Sequence, residues 1–147
     1  MENLVKVQFP FWHEGEQKEW KERMWANPVG DKYELRNVPV YVRDFAFCDI
    51  FSAKKKEGEL YVDELIEESG HSTIRVVFYD TTLIESVRDQ LNALGCSADL
   101  TDRDNLIAVD IPSEVEYTIT ILPFLEKGFT ENKWDYEEAC LSTVHNK

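Results

Sequence analysis

Apolar and polar positions alternate through the first half of the chain. Val5, Val7 and Phe9 alternate with Lys6 and Gln8, which predicts a half-buried strand. The polar stretch His13-Glu14-Gly15-Glu16 suits a hairpin loop. Trp20, Glu22 and Met24, with Arg23 and Trp25 beside them, fit a second strand, and a helical turn stays open as the alternative. Asn27-Pro28 and Gly30-Asp31 read as breaks. Tyr33 and Leu35 lead into Val38–Val42, where Pro39 argues for an edge strand or a bend. Asp49 to Ala53 is another short apolar run. Lys54 to Gly58 reads as a charged turn, and Leu60 to Ile66 as the returning strand. Short strands with turns between them predict a small β-barrel or curled sheet over about residues 4–68.

After Gly70 the rhythm changes. Thr73 to Tyr79 is β-branched and apolar, as a central strand should be. Thr81 or Thr82 is placed to cap a helix in which Ile84, Val87, Leu91 and Leu94 recur at helical spacing, with Gly95 as its stop. Cys96–Leu100 and Leu106–Ile111 flank Thr101-Asp102-Arg103-Asp104-Asn105 as a hairpin. Pro112-Ser113 predicts the start of a second helix with Val115, Ile119, Leu122 and Phe129 along one face. Pro123 is a possible kink and Gly128 the expected end. Trp134, Tyr136, Glu138 and Cys140 alternate as a last strand. The order strand, helix, strand, strand, helix, strand is that of the ferredoxin-like unit. The expected fold is α+β: a β-barrel-like lobe over residues 1–69, then a ferredoxin-like βαββαβ lobe over 70–147.

Charge narrows the partners. Twenty-nine acids against sixteen bases give a formal charge of −13. Such a chain repels phosphate backbones and anionic membrane surfaces, so neither nucleic acid nor membrane is expected. A basic protein or a cation is the electrostatically natural partner, although acidity also serves solubility. No apolar run nears the roughly 20 residues of a bilayer span, and Met1-Glu2-Asn3-Leu4 does not start like a secretion signal. Cys48, Cys96 and Cys140 are odd in number and lack ligand spacing, which predicts reduced, buried thiols and a cytoplasmic protein.

Candidate chemistry is sparse. Ser69-Gly70-His71-Ser72-Thr73-Ile74-Arg75 is the most distinctive run. It reads as an interlobe turn in which Gly70 supplies a positive φ, or as a site in which His71 is a general base helped by Ser69 or Ser72. His13 and His145 are expected to be solvated. The scattered histidines form no zinc pattern, Asp99, Asp102 and Asp104 lack the glycine and closing glutamate of a calcium loop, and the glycines are isolated. No metal or cofactor is therefore expected. Acids cluster twice: Glu57, Glu59, Asp63, Glu64, Glu67 and Glu68 without an intervening base, and Asp135, Glu137 and Glu138 near the C-terminus. Both clusters are candidate partner-binding faces or plain solvated faces. Most aromatics are expected in the core, with Phe11 and Trp12 the exposed ones and Trp12 the candidate interface anchor.

Several stretches carry a resemblance. They are Glu22-Arg23-Met24-Trp25, Tyr33-Glu34-Leu35-Arg36-Asn37-Val38-Pro39, Gly70 to Arg75, Ala108-Val109-Asp110-Ile111-Pro112, and Trp134-Asp135-Tyr136-Glu137-Glu138. In that order they resemble a bacterial family catalogued as domain of unknown function 4265, from about Val5 to Leu141. The resemblance implies a bacterial source and one evolutionary unit spanning both lobes. The family has no assigned activity, so it implies no catalytic residue. Asn37, Pro39, Asp49, Gly70, His71, Ser72, Arg75, Trp134 and Tyr136 become positions to test. The chain departs from the pattern at Val40, where an aromatic is usual, and at Cys48 and Ala139, where glycine is usual.

Three functions fit these features. The first is an acidic binding protein, most concretely an immunity protein that neutralises a cognate basic toxin domain. The second is a small-molecule-sensing module, by fold analogy. The third is an enzyme using His71 with Asp49 or a nearby carboxylate.

Overall fold

In the computed structural model, residues 3–146 are described, and they form two sheets with two helices. The alternation at the start builds β1 (Val5–His13) and β2 (Lys18–Val29), joined by the turn at Glu14–Gln17. Their register sets Val7 opposite Met24 and Val5 opposite Ala26, so the apolar members share one face. The chain reverses at Gly30-Asp31 into β3 (Lys32–Leu35). Asn27-Pro28 is no break, because both residues continue β2 opposite Glu34 and Tyr33. Val38–Val42 is a bend without strand pairing, as Pro39 suggested. β4 (Ile50–Lys56) and β5 (Glu59–Glu67) follow, and parallel pairing of β1 with β5 closes the five strands into a barrel. The lysines expected in a turn belong to β4, and only Glu57-Gly58 makes the turn. Phe9, Met24, Leu35 and Phe51 fill the barrel with Val7, Ala26 and Val42.

The second sheet is antiparallel. β6 (Ser72–Phe78) lies between β8 (Leu106–Ile111) and β9 (Trp134–Cys140), and β7 (Ser97–Leu100) pairs with the outer side of β8. Two helices, α1 (Ile84–Ala93) and α2 (Leu122–Thr130), cover one face. Ile74, Val76, Ile107 and Val109 of the sheet pack there against Val87, Leu91, Ile121 and Leu125.

Local details differ from the sequence reading for identifiable reasons. Asp80, not a threonine, caps the turn before α1, because its carboxylate accepts from the Thr82 N–H. Leu94 follows α1 and is partly exposed. After Pro112 the chain makes turns and one π-helical turn at Tyr117–Ile121 before α2 begins, with Pro123 in its first turn. Tyr117, Ile121 and Leu125 face the core, while Ile119 and Phe129 are exposed. The wider π turn shifts which residues point inward, so the straight 3.6-residue stripe selects the wrong ones. Gly128 does not end α2. The helix crosses the Trp134 ring there, and a Cβ would lie 1.9 Å from that ring.

Candidate functional site

The long connection between β3 and β4 (residues 36–49) lies across the sheet face that the helices leave open. Strand alternation turns Thr73 and Arg75 toward it. Thr73 Oγ1 donates to the Phe45 carbonyl, and the Asp44 N–H donates to the Ala139 carbonyl. Arg75 is almost fully buried and donates to the carbonyls of Pro39, Tyr41 and Val42 while clasping Glu137 at 2.7 and 2.9 Å. From the barrel side, the Glu22 carboxylate accepts the N–H groups of Val40, Tyr41 and Val42. Asn37 Oδ1 accepts from the Trp25 N–H, and buried Asp49 accepts from those of Ala46 and Ser69. Burial raises the Asp49 pKa, and these N–H donors oppose the rise. Together these groups tie the two lobes.

Several of the resemblance-derived positions are therefore hydrogen-bond anchors for one irregular segment. Cys48, where glycine is usual, has φ +73°, the left-handed region in which glycine is least strained. Trp134 donates its indole N–H to the Leu125 carbonyl, and Tyr136 donates to Glu126. Burial is the main cause that raises the Tyr136 pKa.

One pair on this seam has the form of a chemical site. His71 Nδ1 lies 2.8 Å from an Asp110 carboxylate oxygen, and both side chains are largely buried. The carboxylate facing His71 is thus Asp110 on β8, not Asp49, whose bonds are to the backbone. Phe47 packs edge-on against the His71 ring, and its own ring carries the Arg36 guanidinium at 4.6 Å. Arg36 also reaches Cys48 Sγ at 3.3 Å and Glu34 at 3.3 Å. Burial raises the Asp110 pKa, and the bond from His71 opposes that rise. Burial also raises the Cys48 thiol pKa, against the pull of Arg36. An open groove of about 360 Å³ runs between the lobes, with Trp25, Asn37, Asp99 and Leu100 among its walls.

Neither serine proposed as a helper serves His71 as a nucleophile. Ser69 Oγ donates to the Phe47 carbonyl and accepts from the His71 N–H. Ser72 is fully buried and bonds His145 Nδ1 at 2.6 Å. His145 is itself buried, contrary to its expected solvation, because the C-terminal segment folds back on β6. Its Nε2 donates to the Pro112 carbonyl at 3.0 Å. Ser142 completes the network by donating to the Gly70 carbonyl. His13 stacks on Trp20 and accepts from the Glu16 N–H. Among the described residues, no group of three or more His, Cys, Asp or Glu side chains is placed to hold a metal ion, and no helix is long and apolar enough to cross a membrane.

The proposed partner-binding residues separate into different environments. Trp12 stands 55% exposed near the tip of the β1–β2 hairpin. Phe11 beside it is not free, since its ring stacks on Tyr41. Asp63 pairs with Lys54 at 3.3 Å, and Glu59 lies 3.9 Å from Arg23. Glu64, Glu67 and Glu68 are exposed. Glu137 is bound to Arg75 and Arg43, and Glu138 accepts from the Tyr117 hydroxyl, so the C-terminal group is largely engaged internally. Asp135 remains exposed. Charge runs in sequence could not separate the free acids from the engaged ones, because the partners are up to 94 positions away.

Comparison with known proteins adds a family and a fold. A family model described as "Domain of unknown function (DUF4265)" matches residues 22–136. No curated protein matches the chain. A solved structure titled as the novel crystal structure of a hypothetical protein from Neisseria gonorrhoeae superposes with a TM-score of 0.79. It is 21% identical, and the match covers 97% of this chain and 96% of that one, which makes it a likeness of fold.

Proposed function

Because the chain belongs to the family described as domain of unknown function DUF4265, which brings no activity with it, we propose a function from the chain's own surface: binding a basic protein partner. The most concrete form is an immunity protein that neutralises a basic toxin domain in the bacterial cytoplasm. The carrying observation is the end of β5, where Glu64, Glu67 and Glu68 are exposed and, among the described residues, have no Lys or Arg in ion-pair contact. Carboxylates already paired at home have little left to offer a partner, whereas Glu64 and Glu67 stand clear of any cation among the described residues and Glu68 accepts only the Thr143 N–H at 3.3 Å. Trp12 supplies an exposed aromatic of the kind that anchors interfaces. The second lobe is read as ferredoxin-like, supported by its strand order β7-β8-β6-β9 and its two crossover helices.

The test is to capture partners from the source cell and measure association and dissociation across salt. Reversing Glu64, Glu67 and Glu68 together to Lys should slow association by about tenfold or more at low salt, with folding intact. Trp12→Ala should act mainly on dissociation. An unchanged, salt-independent association rate for the triple variant would remove the acidic face from the reading.

A further inference from the structure

The last five residues of β5, Asp63–Glu67, are all exposed, although they lie in a strand. Two irregularities in the β4–β5 pairing explain this. Phe51 faces Leu65 while its neighbour Ile50 faces Glu67, and Ala53 faces Val62, so the in-and-out alternation is broken. Leu65 and Ile66 are consequently 40% and 48% exposed side by side. On the other edge of β5, pairing with β1 is confined to Val7–Leu60 and Gln8–Tyr61. Beyond Tyr61, the outer edge of β5 has no ladder partner among the described residues.

Free strand edges are templates for another strand, and proteins commonly guard them with charge. Here the guard is of one sign. Glu64 and Glu67 flank Leu65 and Ile66, and Glu68 follows. Of the β4 lysines, Lys55 and Lys56 sit toward the opposite end of the ribbon, facing Leu60 and Glu59, and Lys54 is taken up by Asp63 at the start of this edge. Acids so placed repel a second copy of this chain, whose net charge is −13, and attract a strand carrying Lys or Arg. We infer that the 62–67 edge of β5 is a strand-addition site for an extended segment of a basic partner, with apolar side chains of that segment on Leu65 and Ile66. Main-chain bonds to the open edge supply affinity, and alternation of basic and apolar residues supplies selectivity.

This inference rests on the basic-partner reading, and the experiment separates the two. The full chain, labelled with ¹⁵N, is titrated at low salt with a decapeptide of alternating Lys and Val, and with the same peptide N-methylated at every amide. Methylation keeps the charge and removes the donors a strand needs. The expected result is slowed amide exchange within residues 62–67 on adding the unmodified peptide, with about tenfold or more weaker binding of the methylated one. Equal binding of both peptides without protection at 62–67 overturns strand addition and leaves the charge-based reading standing. Binding of neither peptide at millimolar concentration overturns both. Protection of 62–67 in the protein alone, rising with its concentration, overturns the inference in favour of a second copy on the edge.

Discussion

Gly70 stands where β5 gives way to β6, with φ +96°, and a Cβ there would lie 2.9 Å from Ser113 Cβ. Left-handed backbone and a close neighbour both exclude a side chain. Gly70→Val should therefore destabilise the protein by about 1–3 kcal/mol, seen as a lower urea midpoint at unchanged slope. An unchanged midpoint would show that the turn relaxes freely. The thiols make a second prediction. Burial pushes Cys96 up to about 11 and Cys140 up to about 12. Since the folded values are raised, the folded state holds these protons longer than the unfolded chain does. The contribution is fully present below the unfolded thiol value of about 9 and is lost as pH rises through 11 and 12. The melting temperature should fall between pH 8 and pH 11, and fall less in a Cys96→Ala, Cys140→Ala double variant. Equal falls in the two proteins would assign the loss to other groups.

At the scale of elements, α2 and β9 show where pattern reading stops. Glycine near the end of an apolar run reads as a stop signal, yet Gly128 lies within α2 because the Trp134 ring occupies the space of a side chain. Gly128→Ala improves helix propensity by roughly 1 kcal/mol, but the overlap with the indole should outweigh that gain and leave a net loss of about 2 kcal/mol or more. Chemical denaturation followed by tryptophan fluorescence would measure it, and a stabilised variant would contradict the packing. In β9 the alternation of Trp134, Tyr136, Glu138 and Cys140 is interrupted, since Ile74 faces Glu138 while Thr73 faces Cys140. Ala139 is the extra residue, and it turns inward. The helix α1 and the hairpin β7–β8 were legible because their periodicities are local and uninterrupted. The π turn, the bulges and the Trp134–Gly128 contact were not, because each is fixed by a neighbour distant in the chain.

For the whole molecule, net charge makes the simplest prediction. With a formal charge of −13, the chain should show no micromolar, salt-sensitive binding to duplex or single-stranded nucleic acid in filter or anisotropy assays. Such binding would mean that local basic groups outweigh the overall field. Composition set that field, and the spacing of apolar residues determined a β-rich first half and an α+β second half, because burial of alternate or helically spaced side chains follows from local geometry. Tertiary structure decided the rest. It joined β1 to β5 to close the barrel and bound Arg75 to Glu137 and to the carbonyls of residues 39–42. It also gave His71 to Asp110 and His145 to Ser72. Among the described residues, it left Glu64, Glu67 and Glu68 exposed and out of reach of any lysine or arginine. These pairings join residues tens of positions apart, and a one-dimensional pattern holds no record of which distant groups will meet when water is excluded between them.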